Sequence, residues 1–265
     1  PKLIDVNEIV VYSGLNEESI HKSGHNASVI GQSELKRLSY DHFQTLTNQV
    51  PNLNWAGGTS RPRYFQIRGI GERSQYFGEG APNFSVGFIL DDMELSGLGM
   101  LGNLFDLNQI EVFRGPMSSV FGTNSLAGLI SLRSNNPGDT LRLKSLLSSG
   151  TDNYLSLGTL LNLPVNNKLQ FRFSGSILQS DGFRYNKFRE SSDSNKKDEQ
   201  FIRVKLNYKP LKNFKVLGTL IYAELNNGYD SWAPDNNTDY NTYSNDNGED
   251  SQKTLGGSVR INLNS

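Results

Sequence analysis

From residue 168 onward the chain repeats one pattern that few folds can use. Leu169, Phe171, Phe173 and Ile177 occupy one face of an extended segment, and Lys168, Gln170, Arg172, Ser174 and Ser176 occupy the other. Ile202, Val204, Leu206 and Tyr208 alternate likewise with Arg203, Lys205 and Asn207, and Leu255, Val259, Ile261 and Leu263 with Ser258, Arg260 and Asn262. A period of two marks a strand whose faces meet different surroundings. Segments 141–149 and 154–163 fit less cleanly. Segment 214–225 is apolar on both faces in its middle, which leaves its orientation open. The connections alternate as well. Residues 164–167 and 210–213 are tight turns, whereas 181–199 and 226–253 are long, charged and rich in Asn and Asp.

Short turns on one side and long loops on the other describe an antiparallel meander of the outer-membrane barrel kind. A soluble antiparallel sandwich alternates in the same way, so the strands alone leave both readings open. Composition narrows the function classes. The chain has 265 residues, with 26 Lys and Arg against 27 Asp and Glu. The near-zero balance excludes a globally basic nucleic-acid binder. Without cysteine there is no disulfide scaffold, thiolate metal site or thiol nucleophile, and the three histidines, His21, His25 and His42, all fall early. No apolar run approaches the roughly 18 residues of a spanning helix. A mean hydropathy of −0.50 suits a soluble chain, yet alternating barrel strands average to such values. The opening Pro1-Lys2-Leu3 carries no signal peptide, as expected of a mature chain or a part of one.

The two halves follow different rules. Residues 1–139 hold 10 Lys and Arg against 14 Asp and Glu, and residues 140–265 hold 16 against 13. Between them Asn135-Asn136-Pro137-Gly138-Asp139 is a turn cluster, and the domain boundary is expected there. The first half reads as mixed α and β. It has a β-prone run at 8–12, an extended stretch at 19–30 and a short helix with Ser33 as N-cap. A second helix is expected at 41–50, stopped by Pro51, and strands at 63–68, 85–90, 109–114 and 128–133.

Residues 104–133, LFDLNQIEVFRGPMSSVFGTNSLAGLISLR, place a strand before a sharp corner at Arg114-Gly115-Pro116, then tight turns at Gly122 and Gly128 and a strand leading out. This run resembles the plug domain of TonB-dependent outer-membrane receptors, whose members carry E-V-x-R-G-P-x-x-x-x-Y-G-x-x-x-x-G-G-x-I. Glu111, Val112, Arg114, Gly115, Pro116, Gly122 and Ile130 stand in the expected places. Phe121 replaces the usual Tyr, and Ala127-Gly128 the usual Gly-Gly. Upstream, Ile67-Arg68-Gly69-Ile70-Gly71 is similar to the family's I-R-G-x-G, and residues 86–91 to its V-x-V-Y-V-D-G strand, with Asp92 in place of Gly. The resemblance spans residues 8–139. It implies an α+β plug domain over 1–139, followed over 140–265 by antiparallel transmembrane β-barrel strands.

The family's periplasmic energy-coupling partner, TonB, takes up an extended segment by strand addition. Asp5, Val6, Asn7, Glu8, Ile9, Val10 and Val11 form the candidate TonB box, and the plug's own first strand is the competing assignment for residues 8–12. Arg68 and Arg114 match arginines that anchor the plug on carboxylates of the barrel wall, for which Glu224 is one candidate. The ligand is expected at outward plug loops over 55–62, 72–83 and 95–103. There Trp55, Arg73, Tyr76, Phe77, Asn83 and Met100 are the candidate ligand-binding residues. An Arg beside aromatics suits an anionic, partly aromatic ligand such as a ferric siderophore. Asp91, Asp92 and Glu94 read as a turn, with Asp91 bonding its own backbone, rather than as a metal or acid–base cluster. No Ser/His/Asp order, P-loop or zinc spacing occurs, so no catalytic residue, cofactor or metal is expected.

Six strands fit into residues 141–264 at about 21 residues each, whereas plugged outer-membrane transporters have roughly 22 strands. The chain is therefore expected to hold the plug and about the first quarter of a wall, since an open sheet cannot sit in lipid. The function implied is TonB-energised import across the bacterial outer membrane of a scarce small-molecule ligand, foremost a ferric siderophore or other iron complex. Outer-membrane lipid would surround the wall, with neither enzyme chemistry nor a nucleic-acid partner. A SusC-type oligosaccharide importer, a ligand-sensing signal transducer and a soluble carbohydrate-binding β protein are the alternatives.

Overall fold

The computed structural model describes residues 10–11, 18–20, 24–37, 41–56, 60–72, 84–229 and 239–263. The chain divides into two compact units, one comprising Pro1–Gly57 and Arg61–Ser134, the other Gly58–Ser60 and Asn135–Ser265.

In the first unit, β1 (Val10–Val11) pairs antiparallel with β2 (Glu18–Ser19), and β3 (Ala27–Gly31) leads into α1 (Gln32–Arg37). The segment expected to be a second helix is instead a 3-10 turn over Phe43–Gln49. His42 caps it, Nδ1 accepting from the Gln44 amide at 3.1 Å, while the Thr45 and Thr47 hydroxyls donate to carbonyls three residues back. Such local bonds favour the tighter turn, and the i,i+3 pair Phe43 and Leu46 shares its buried side.

β4 (Leu53–Ala56) and β5 (Tyr64–Ile67) form a two-stranded ribbon. β6 (Val86–Leu90), β7 (Met93–Glu94), β8 (Leu107–Phe113) and β9 (Gly128–Ser134) join β3 in a five-stranded sheet ordered β3-β8-β9-β6-β7; the single turn α2 (Ser118–Phe121) lies between β8 and β9. β6 and β9 run parallel; β6 is buried on both faces, which is why its sequence, VGFIL, is a continuous apolar run rather than an alternating one. The core centres on Phe43, Phe65 and Phe88, with Phe65 stacked on Phe88 at 5.7 Å and Phe43 edge-on to Phe65 at 5.5 Å. Gly128 is obligatory here: a Cβ would meet the Phe113 carbonyl oxygen at 2.3 Å.

The second unit is a six-stranded antiparallel meander. Its strands are β10 (Arg142–Ser149), β11 (Leu155–Asn166), β12 (Leu169–Ser180), β14 (Lys197–Leu211), β15 (Phe214–Gly228) and β17 (Glu249–Leu263), paired in chain order. The turns at 167–168 and 212–213 lie at one end. The connections 181–196 and 229–248 lie at the other and carry β13 (Tyr185–Asn186) and β16 (Asn241–Thr242), which pair parallel. The register aligns one polar row across five strands: Asn162 faces Arg172, Arg172 faces Lys205, Lys205 faces Thr219, and Thr219 faces Ser258.

Candidate functional site

The wall sheet is inside out by the standards of a water-soluble protein. Its sheltered face holds Asn162, Gln170, Arg172, Ser174, Arg203, Lys205, Asn207 and Thr219, all buried. The opposite face holds Leu157, Phe173, Ile177, Ile202, Leu220, Leu255, Val259 and Ile261, all exposed. β15, whose orientation its sequence left open, follows suit: Leu217, Thr219, Ile221 and Ala223 are buried, and Leu220 is exposed. Along β17 the apolar positions run from Leu255 to Leu263. Eight steps of about 3.3 Å, tilted about 40°, give an apolar band about 20 Å tall. At one border of that band the Tyr222 hydroxyl donates to Glu224, which also pairs with Lys253 at 3.1 Å. Glu224 thus lies on the face of Leu220, not on the sheltered face expected of a plug-anchoring acid; strand parity places it there. Among the described residues, the sheltered face of these strands carries acids only at Glu199 and Asp250, near the long-loop end, and a larger number of cations, among them Arg172, Lys197, Arg203, Lys205 and Arg260. The Arg203 guanidinium lies 5.0 Å from the centre of the Phe201 ring.

In the first unit, Trp55 sits on β4 opposite Phe65 and is partly exposed. Arg73, Tyr76, Phe77 and Asn83 lie outside the described residues, as does the side chain of Met100, whose backbone is in the 3-10 turn Gly99–Leu101. The neck of the 73–83 segment is described and is tied: Glu72 Oε1 accepts from the Ser85 amide at 2.8 Å and from its hydroxyl at 3.2 Å. Nothing in the local sequence marks this pair, because its members are 13 residues apart.

Arg68 is exposed at φ 54, and Gly71 follows at φ 147, where a Cβ would lie 2.2 Å from the Phe65 carbonyl oxygen. The I-R-G-x-G motif is therefore a tight reversal that closes by mutual backbone bonds between Ile67 and Ile70. Arg114 is half-buried after β8; its amide donates to the Asn26 carbonyl at 2.8 Å, and its Nε is buried with no acceptor among the described residues. Asp5, Val6, Asn7, Glu8 and Ile9 lie outside the described residues. Val10 and Val11 form β1: the Gln109 side-chain amide donates to the Val10 carbonyl at 2.8 Å, and Val11 is buried with Ile89, Phe113, Met117 and Leu129.

Asp91 and Asp92 take φ of 47 and 69 in the two-residue turn between β6 and β7, the type I′ pattern. The Asp91 carboxylate reaches well beyond its own turn. It accepts from the amide and hydroxyl of Ser134, at 2.9 and 2.6 Å, and so fastens the end of β9. No group of metal-binding side chains occurs among the described residues.

The two long connections of the wall are bound to each other. Besides the β13–β16 pair, Asn186 Nδ2 donates to the Ser244 carbonyl at 2.8 Å, and Phe183 packs edge-on to Tyr240 at 5.4 Å. Arg184 lies over Phe183, and Lys187 over Tyr243. Within 181–196 the Ser191 hydroxyl, donating to Asp193 at 2.7 Å, holds the Asp193 carboxyl below the ordinary carboxylate range; Arg189 and Lys196 add to the effect.

A family model, the TonB-dependent receptor plug domain, matches residues 19–129. The vitamin B12 transporter BtuB of Vibrio vulnificus (strain YJ016) is 24% identical over 200 residues, covering 72% of this chain and 31% of its own length. Among solved structures, the ferric yersiniabactin uptake receptor FyuA of Yersinia pestis superposes with a TM-score of 0.76 at 17% identity, over 91% of this chain and 38% of that one. The ferripyoverdine receptor of the outer membrane of Pseudomonas aeruginosa gives 0.72 at 11% identity, over 95% and 33%. The chain spans about a third of the length of these relatives.

Proposed function

We propose that the chain belongs to the TonB-dependent receptors, proteins of the bacterial outer membrane, and that it carries the plug (1–139) and the opening wall strands (140–265) of an importer. The importer takes up a scarce ligand with energy delivered through TonB. The observation that carries this reading is the inverted wall, with Arg172, Arg203, Lys205 and Asn207 sheltered and Phe173, Leu220, Leu255 and Val259 exposed. In water that arrangement would forfeit most of the hydrophobic driving force. Against lipid outside and a polar lumen inside, it is the stable one.

The ligand class is an iron complex, foremost a ferric siderophore. The row of cations on the sheltered face suits an anionic chelate, and the similar structures are of receptors for ferric yersiniabactin and ferripyoverdine. Trp55, Arg73, Tyr76, Phe77, Asn83 and Met100 are the plug residues assigned to meet it. The Glu72–Ser85 tie supports this assignment by closing the neck of the loop that bears four of them. Arg68 and Arg114 hold the plug against wall carboxylates; the Nε of Arg114, buried and without an acceptor among the described residues, supports that role. Residues 5–11 are the segment offered to TonB.

The test uses the full-length protein in a strain lacking its own siderophore receptors. Radioactive iron is supplied as the yersiniabactin or the pyoverdine complex, and labelled vitamin B12 in parallel. Uptake of an iron complex that vanishes on deletion of TonB is expected. Uptake of vitamin B12 alone moves the ligand class, and uptake without TonB refutes energised import. Ile9→Pro should abolish uptake while leaving binding intact, because proline removes a strand-pairing donor. Loss of both would make residues 5–11 a plug strand instead.

A further inference from the structure

At the short-turn end of the wall the register brings like charges face to face. The Lys209 amide donates to the Lys168 carbonyl at 2.7 Å, which sets Lys168, in the turn before β12, beside Lys209 of β14. A bulge between Tyr208 and Leu211 sets Lys209 and Pro210 against Lys215 of β15, and Lys215 stands opposite Asn262 of β17. Three lysines thus occupy one row over three neighbouring strands, with cross-strand Cβ atoms about 5 Å apart. By strand parity Lys209 and Lys215 lie on the sheltered face, with Asn207 and Leu217. Lys168 is exposed, and Lys209 and Lys215 are half-buried.

Like charges directly opposite each other destabilise a sheet. The acids of the same face stand far from this row. Among the described residues of β12, β14, β15 and β17 they are Glu199 and Asp250. Glu199 is ten residues from Lys209 along β14, about 33 Å, and Asp250 lies toward the same distant end. The next row inward is the neutral Gln170–Asn207 pair, joined at 2.8 Å; beyond it Arg172 faces Lys205, a second meeting of like charges. At the level of the lysines the outward face carries Leu169, Tyr208, Val216 and Ile261. The row and the lipid-facing surface are therefore on opposite sides of the sheet, which favours a soluble counter-charge over a lipid headgroup.

We infer that Lys168, Lys209 and Lys215 form a seat for a small soluble anion carrying two or more carboxylate or phosphate groups. Lysine suits a brief stay: its ammonium is a hydrated point charge on a flexible stem and lacks the fixed bidentate geometry of arginine. Short turns mark the periplasmic side of an outer-membrane barrel. On the import reading, on which this role rests, the seat is the station from which an anionic ligand leaves the wall. The seat itself does not rest on that reading.

The test uses the full-length protein in phosphatidylcholine nanodiscs, with citrate and inorganic pyrophosphate as probes. Amines are acylated briefly by a water-soluble reagent, and labelling at each lysine is read by mass spectrometry. Both probes should slow labelling of Lys168, Lys209 and Lys215, about tenfold at about ten times the dissociation constant. Lys253, on the outward face at the opposite border, should not respond. The same slowing by sodium chloride at equal ionic strength would reduce the effect to screening and overturn the seat. Lys209→Gln should abolish the protection of Lys168, and Lys209→Arg should keep it. Lys209→Gln should also raise the urea midpoint of the anion-free protein, because it relieves like-charge contact; a lysine that serves only the fold would lower it. Protection that survives Lys209→Gln, or that needs phosphatidylglycerol in the nanodisc and fails with both probes, overturns the seat. In cells, glutamine at all three positions should slow uptake of the labelled iron complexes while surface capture keeps its affinity. Undiminished uptake overturns the exit role. Absence of uptake by the unaltered protein overturns the import reading, and the acylation arm then judges the seat alone.

Discussion

Leu220→Arg separates a lipid-facing wall from a water-facing one by energy alone. Leu220 lies on β15, between Val204 of β14 and Gly257 of β17, and is 52% exposed. Were that face wetted, an arginine at a half-exposed position flanked by small neighbours would change stability by no more than about 0.5 kcal/mol. Facing the apolar band two residues inside its Tyr222 border, the same change should cost about 1–3 kcal/mol, equivalent to a roughly 5- to 150-fold shift in the folding equilibrium. Asn226 provides the depth control. It lies on the same face of β15, six residues and about 20 Å along the strand, beyond the Tyr222–Glu224 border. Asn226→Arg should cost about 0–1 kcal/mol. The measurement is urea-driven unfolding of the full-length protein from phospholipid vesicles, followed by tryptophan fluorescence and by the heat-dependent shift of folded barrels on gels. Equal and small costs at the two positions would refute the lipid-facing assignment.

Asp92→Gly should stabilise the first unit by about 1 kcal/mol, because φ 69 penalises a residue with a Cβ; thermal unfolding with Asp92→Ala as the opposite change checks it. Asp91→Ala leaves two buried Ser134 donors without their acceptor and should cost about 1–3 kcal/mol, with faster amide exchange at the end of β9 as its local sign. The Asp193 carboxyl sits below its ordinary range in the folded loop. Its contribution is therefore present above the ordinary carboxylate pKa and lost as pH falls through the depressed one. Amide protection across 187–196, taken relative to the intrinsic exchange rate at each pH, should fall on acidification in that window, and Asp193→Asn should leave it flat there.

The strand faces were legible because alternation is written residue by residue: Ile202 beside Arg203, Val204 beside Lys205. The reversal at 67–71 was legible only as a family motif, and its hairpin-like closure between Ile67 and Ile70 came from the structure. Helix type was not legible. The apolar spacing of 41–50 suits an α-helix, and the capping by His42 with the back-bonding of two threonines tips it to the tighter turn. Likewise the orientation of β15 could not follow from a segment apolar on both faces. It follows from its neighbours, because pairing with β14 at Lys205–Thr219 and with β17 at Thr219–Ser258 commits every other residue.

What the sequence by itself determined is thus the local part: two halves of different composition, strands with unlike faces, short and long connections, and a set of turn motifs that match a family. Tertiary structure alone decided the partners. Asp91 reaches Ser134 across 43 residues, Ser60 reaches Asp250 across 190, and Glu224 finds Lys253 on the apolar side of the wall. Such pairs depend on register, and a slip of one residue would turn each side chain to the other face. No residue carries that information alone; it arises only when the neighbouring strands are in place.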